Sequence, residues 1–236
     1  MENIIKSEGK YVFKAKIDDS LVNAIRRYVG QIQMAAIVDV EISKNDSPLY
    51  DETLAHRLGL VPLKQNGKKE GKLKLSSQTK GFVYSGALKG DFDVVYDKIP
   101  LTLLSEGQEI ELTASIGMGK GQEHAKFYPG IMNYRRVAEI YTDKEIAEKV
   151  KNSALPNVEI KQKGDKVLII DDKEKEISDI CEGYAEKYGK KIEVNPTEEV
   201  VISLESFGQI DAKSIFAKAV DVLEKDLGEI AKKISK

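Results

Sequence analysis

Two histidines, one cysteine and a glycine-rich run are the residues of this chain whose types and spacing could do chemistry. His56 directly precedes Arg57, and His124 stands two residues before Lys126. With Glu52 or Glu123, the two imidazoles could make a two-histidine, one-carboxylate metal site. The His-Glu-x-x-His spacing that sets two ligands and a base on one helical face is absent, and no nucleophile is paired with a base. Hydrogen bonds that anchor loops, or contacts with a neighbouring chain, are the plainer roles for His56, Arg57, His124 and Lys126. Gly117, Gly119 and Gly121 around Lys120 suggest a phosphate cradle, yet the Gly-Lys-Ser/Thr ending that opens a helix is missing. Cys181 alone excludes an internal disulfide and a four-cysteine metal site, which fits a reducing intracellular compartment.

Composition narrows the function classes further. The chain has 236 residues, enough to bury a real core, with 37 Lys+Arg against 39 Asp+Glu. That near-balance argues against a protein whose main task is to hold nucleic acid, which calls for a basic excess. No run approaches the roughly 18 apolar residues of a membrane span, and the first nine residues have no apolar core like a signal peptide. A soluble, cytoplasmic protein without membrane contact is the expectation.

The elements that must position these residues follow from periodicity. Residues 10–17 alternate as a strand does. Asp18, Asp19 and Ser20 are candidate N-caps for a helix on which Leu21, Ile25, Tyr28, Val29 and Ile32 recur at spacings of three and four. Its apolar arc of roughly 160° exceeds the roughly 100° stripe that one core contact needs. Arg26 lies at the edge of that arc and Arg27 on the polar side, where an arginine pair reads first as a solvated face. Residues 36–43 form a β-branched run, so the chain opens strand, helix, strand. A short helix over 50–58, capped by Asp51 or Thr53, ends at Gly59 before Pro62. Residues 65–80 read as a surface loop or mobile edge hairpin. Residues 81–116 are β-rich, with strands over 82–84, 93–96 and 109–112. Further strands are expected over 158–160, 166–170, 191–194 and 200–204, with helices over 143–151 and 174–188. A terminal helix over 211–235 carries Ile215, Phe216, Ala219, Val220, Leu223, Leu227, Ile230 and Ile234, an apolar face of about half its circumference. A single sheet needs less than that, so either another polypeptide or the first helix and the 200–204 strand must cover it.

Four motifs, DDSLVNAIRR, LAHRLGLVPL, GKGQEHAKFYP and ISLESFGQI, precede that last helix in this order. In this order they resemble the D subunit family of archaeal RNA polymerase, related to the third-largest subunit of eukaryotic polymerases and to the amino-terminal domain of the bacterial alpha subunit. The resemblance implies an α+β fold: a discontinuous dimerisation domain of both chain ends (1–38 and 195–236), a β-rich insert domain (39–141) and a small ferredoxin-like domain (142–194). It implies a non-catalytic assembly scaffold of DNA-directed RNA polymerase that needs no cofactor and reads no nucleic-acid sequence itself. Such a chain pairs with a small L-like subunit and docks the large and other small polymerase subunits. On that reading Leu21, Ile25, Tyr28, Ile215, Phe216, Ala219, Leu223, Leu227 and Ile230 face the L-like partner. Arg26, Arg27, His56, Arg57, His124 and Lys126 meet a large subunit, where the planar arginine fork suits carboxylates and carbonyls.

The chain departs from this pattern in one place. Some members of the family hold an iron–sulfur cluster in the ferredoxin-like domain, with cysteines three residues apart. By that spacing Lys175 and Ser178 stand where thiolates would be, only Cys181 remains, and Leu155-Pro156 replaces the upstream cysteine-proline element. A cluster takes about four thiolates, so none is expected here. The opposing function class is a stand-alone binding module or a degenerate redox module without polymerase partners.

Overall fold

The computed structural model describes residues 2–7, 9–153, 159–163, 166–174 and 176–234. The strands are β1 (Glu2–Ser7), β2 (Lys10–Lys16), β3 (Gln33–Asn45), β4 (Gly71–Ser77), β5 (Gly81–Tyr84), β6 (Lys89–Gly90), β7 (Pro100–Leu104), β8 (Ile110–Lys120), β9 (Gly130–Thr142), β10 (Glu159–Lys163), β11 (Lys166–Asp171) and β12 (Glu193–Ser206). The helices are α1 (Asp19–Tyr28), α2 (Asp51–Gly59), α3 (Lys144–Asn152), α4 (Ser178–Lys187) and α5 (Ala212–Ile234). Helices and strands are thus mixed, as an α+β fold requires. No helix among the described residues is long and apolar enough to cross a membrane.

The contacts divide the chain into two units. The first comprises residues 1–23 and 132–204. Its sheet has the order β1-β2-β12-β9-β11-β10, so β12 returns from the far end of the chain to lie between β2 and β9. Helices α3 and α4 pack together, and Ile140, Ile146, Val150, Val167, Ile169 and Cys181 form their shared core. Asp143 caps α3 by accepting from Ile146 N at 3.0 Å.

The second unit comprises residues 24–131 and 205–236. It has a four-stranded sheet, β3-β8-β4-β6, and a two-stranded one, β5-β7. Leu54 and Leu58, four residues apart on α2, meet Leu73 and Leu75 of β4 and Leu112 of β8 in one apolar core. This docking stabilises a nine-residue helix that would be marginal alone.

Several expectations change. Within the stretch expected as a surface loop or mobile edge hairpin, residues 71–77 form an inner strand: β4 lies between β8 and β6 and pairs with β8 throughout, with Leu73 and Leu75 alternating inward beneath a lysine-rich text that conceals them. Residues 93–96 form no strand, only an isolated Leu63–Val94 bridge. The separate strands at 191–194 and 200–204 are one, β12, and the helix expected from 174 starts at Ser178. At α1, Asp18 is the cap, its Oδ1 accepting from Ser20 N at 2.8 Å, and these bonds to Ser20 hold its carboxyl below the usual range. At α2 the cap position is Tyr50, without a side-chain bond; Asp51 instead accepts from Asn45 at 2.7 Å. Leu155, Pro156, Val158, Lys175 and Ser235 lie outside the described residues.

Candidate functional site

The second unit brings distant motifs together. Helix α2 docks through Leu54 and Leu58, which leaves His56 and Arg57 exposed on its outer side. Past β8 the chain makes a single turn of 3-10 helix over Ala125–Phe127. His124 caps this turn, its Nδ1 accepting from Lys126 N at 3.1 Å, so that Nε2 carries the proton of the neutral ring. Lys126 reaches back, its Nζ donating to the Ile37 carbonyl at 3.0 Å and lying 5.3 Å from the Phe127 ring centroid. His56, His124 and Lys126 thereby line one hollow of about 170 Å³ with Asp39 and Leu60. Arg57, Arg26 and Arg27 do not line it; all three are exposed.

The glycine-rich run has a packing role. Gly119 and Gly121 lie at the end of β8, where added Cβ atoms would fall 2.4 Å from the Phe127 ring and 2.5 Å from the Tyr128 ring. The glycines let the His124 to Tyr128 segment close onto the sheet. Gly119→Ala must therefore displace Phe127. A loss of about 1 to 3 kcal/mol is expected for such overpacking, measured by urea denaturation of the purified chain.

A larger groove adjoins the hollow and shares Leu60 and Lys126 with it. Its volume is about 530 Å³, and Tyr96, Tyr128 and Phe207 line it with Pro62 and Glu205. Leu60 and the three aromatic residues are 37% to 51% exposed, a high fraction for such side chains gathered in one place. Phe207 N donates to the Pro129 carbonyl at 3.0 Å, which pins the turn after β12 beside Tyr128. Sequence reading missed this groove. Its signal was present, since LAHRLGLVPL, GKGQEHAKFYP and ISLESFGQI each contribute residues, but only folding shows that they meet.

The terminal helix divides lengthwise. Ala212, Ile215, Ala219 and Leu223 are buried, Phe216 is half-buried, and the first turns pack against the Val29–Gln31 turn. Beyond Leu223 no described residue of the helix is buried, although the apolar spacing continues: Leu227, Ile230 and Ile234 are 55%, 52% and 80% exposed. On α1, Ile25 is buried and Tyr28 half-buried. Burial first, then a hydrogen bond to Asp226 of α5, raises the Tyr28 hydroxyl above its ordinary pKa. Leu21, in the first unit, is exposed.

In the first unit, the residues at the supposed cluster positions do not fit an iron–sulfur group. Cys181 is the chain's one cysteine and is wholly buried; burial above all, with Asp171 and Glu182 nearby, pushes its thiol up to about 11. Such a thiol is no nucleophile at neutral pH, and a single thiol cannot supply the roughly four thiolates a cluster takes. Ser178 Oγ bonds Glu176 at 2.7 Å. The segment is instead tied by Asp171, 1% exposed, whose carboxylate accepts from Ile177 N at 3.1 Å and Ser178 N at 3.3 Å at the start of α4. Its other oxygen meets Arg135 of β9 at 2.8 Å.

A family model described as the RNA polymerase Rpb3/RpoA insert domain matches residues 40–133. The DNA-directed RNA polymerase subunit Rpo3 of Pyrococcus furiosus is 31% identical over 91% of this chain and 88% of that protein. That of Methanosphaera stadtmanae is 30% identical over 95% and 94%. The chain belongs to the archaeal Rpo3, or D subunit, family of DNA-directed RNA polymerase. The match to the Rpo3 of Thermococcus kodakarensis is 33% identical over 56% of this chain and 57% of that protein. Most of the hollow, apart from Ile37, Val38 and Asp39, and most of the groove lie within the stretch that the insert-domain model covers, with Glu205, Phe207 and their neighbours added from the carboxyl-terminal part of the chain. As an Rpo3 family member, the chain is a subunit of an enzyme that transcribes DNA.

Proposed function

We propose that the chain is a non-catalytic assembly scaffold that pairs with a small L-like subunit and docks a large polymerase subunit. The observation that carries this reading is the continuing stripe on α5. The stripe is covered by the chain itself through Leu223 and is uncovered at Leu227, Ile230 and Ile234, three residues on one helical face. The last three turns of a helix are marginal in water unless something packs on them. Burying the three side chains on a partner at ~1.5 to 3 kcal/mol each supplies a gross ~4.5 to 9 kcal/mol, before ordering and association costs. Ile215, Ala219 and Leu223 with Ile25 form the buried base of this seam, and Phe216 and Tyr28 lie half-buried on it. Leu21 is a separate proposed contact of the first unit.

In this reading residues 1–38 and 195–236 make the discontinuous dimerisation domain, 39–141 the insert, and 142–194 a ferredoxin-like domain without its cluster. Arg26, Arg27, His56, Arg57, His124 and Lys126 are the docking residues for a large subunit, and other small polymerase subunits join the same assembly. Co-expression with an L-like chain tests the pairing: a 1:1 complex that withstands high salt is expected, because an apolar seam is little screened. A monomer that ignores the partner would favour a stand-alone module. Arg27→Ala should leave the heterodimer intact and weaken recruitment of the large subunit on the order of tenfold, read by co-purification at graded concentrations. Loss of the heterodimer itself would place Arg27 on the wrong face.

A further inference from the structure

The hollow and the groove are one surface, since Leu60 and Lys126 line both. The two parts differ in chemistry. The hollow concentrates hydrogen-bond donors. Lys126 has three, of which the Ile37 carbonyl takes one; His124 offers Nε2–H, because its Nδ1 is committed to Lys126 N; and His56 adds a second imidazole. Asp39 also lines it, and one carboxylate against these groups leaves the donors in excess. About 170 Å³ is several waters' worth of space at ~30 Å³ each, room for a carboxylate but below the ~300 Å³ where small-molecule pockets begin. The groove, at about 530 Å³, presents exposed Leu60, Tyr96, Tyr128 and Phe207 and takes large apolar side chains.

We infer that this surface receives one segment of a partner polypeptide, with an acidic side chain in the hollow and large apolar side chains, a few residues away, in the groove. The inference rests on the docking reading of His56, His124 and Lys126 above and adds to it the groove and the chemistry of what is bound. A polypeptide is favoured over a nucleic acid because the groove is lined by Glu205, which would repel a run of phosphates, and by Leu60 and Pro62, which suit apolar side chains. Lys126 is held by Ile37 before any partner arrives, so less freedom is lost on pairing than for an untethered lysine.

The test is photo-crosslinking in the reconstituted polymerase with p-benzoyl-phenylalanine in place of Tyr96, which is 51% exposed. The expected result is a crosslink to one peptide of another subunit that carries Asp or Glu within about four residues of the attachment point. Lys126→Glu should weaken binding of that subunit on the order of tenfold, and changing the partner's acid to Lys should restore it. No crosslink in an assembled polymerase, a crosslinked peptide without an acid, a crosslink to nucleic acid, or a swap without rescue overturns the inference and leaves the scaffold reading standing. Failure of the unsubstituted chain to enter the polymerase at all would remove the docking reading, and this inference with it.

Discussion

Ile230→Asp should abolish pairing with the L-like subunit while leaving the isolated chain as stable as before. Ile230 is 52% exposed and stands in the stretch of α5 that the chain does not cover, so an aspartate there meets water and costs the free chain little. In the heterodimer the same position would be buried. The variant forfeits ~1.5 to 3 kcal/mol of apolar burial and must in addition desolvate a charge without a partner. A weakening of at least about a hundredfold follows, at 1.4 kcal/mol per factor of ten. Titration calorimetry against the L-like chain, with thermal unfolding of the free variant beside it, checks both halves. Phe216→Asp is the informative contrast, because Phe216 is half-buried: it should lower the melting temperature of the free chain as well as the affinity. If Ile230→Asp pairs normally, the uncovered stripe is not the seam.

The second large effect is expected in the first unit. Asp171→Ala takes away the carboxylate that Arg135 meets, so that its charge is left to backbone carbonyls such as those of residues 136 and 171, and leaves two N–H groups at the start of α4 without their acceptor. Breaking a buried ion pair from one side costs about 3 to 5 kcal/mol, so α4 and β11 should lose hydrogen-exchange protection by that amount. The pair also has a pH signature. Burial pushes the Asp171 carboxyl above its ordinary value of 3.8, although the two N–H groups and Arg135 pull the other way. The folded chain therefore binds this proton more tightly than the unfolded chain does. Its contribution is whole below pH 3.8 and declines as pH rises through the raised folded value. The stability difference between the native chain and Asp171→Asn, which keeps the shape and cannot titrate, should accordingly shrink from the acid side toward neutrality. A difference that grows with pH would mean that Arg135, not burial, governs the carboxylate.

That ion pair also bears on what holds the segment around Cys181 together. The sequence shows one cysteine and so excludes the metal group directly. It gives no hint that Asp171 and Arg135, 36 residues apart, tie the start of α4 to β9. The apolar residues were legible in part: of Val167, Ile169, Ile177, Ile180, Tyr184 and Tyr188, whose spacing suggests this core, the first three are buried in it, Tyr184 packs half-buried against it, Ile180 is half-buried and Tyr188 is exposed. Polar contacts over long sequence separation have no periodicity to announce them, whereas apolar burial repeats every second or every third to fourth residue.

The same contrast runs through the second unit. Helices α2 and α5 and strand β3 could be read from spacing and caps because those signals are local. Strand β4 was misread because lysines on its solvent face outweigh two inward leucines. His56, His124 and Lys126 were singled out one by one, and the hollow they share was not.

Family membership, the α+β class and the lack of cluster ligands were thus fixed by the chain's own text, since ordered motifs, apolar periods and a cysteine count do not depend on what lies nearby in space. Tertiary structure decided which apolar residues of the last helix the chain covers and which it leaves exposed. It also decided that three motifs from distant parts of the chain border one surface. Both depend on long-range packing: burial is a property of neighbours, and neighbours as far apart in the chain as Ile37 and Lys126 or Pro129 and Phe207 are chosen by the folded sheet, not by local sequence.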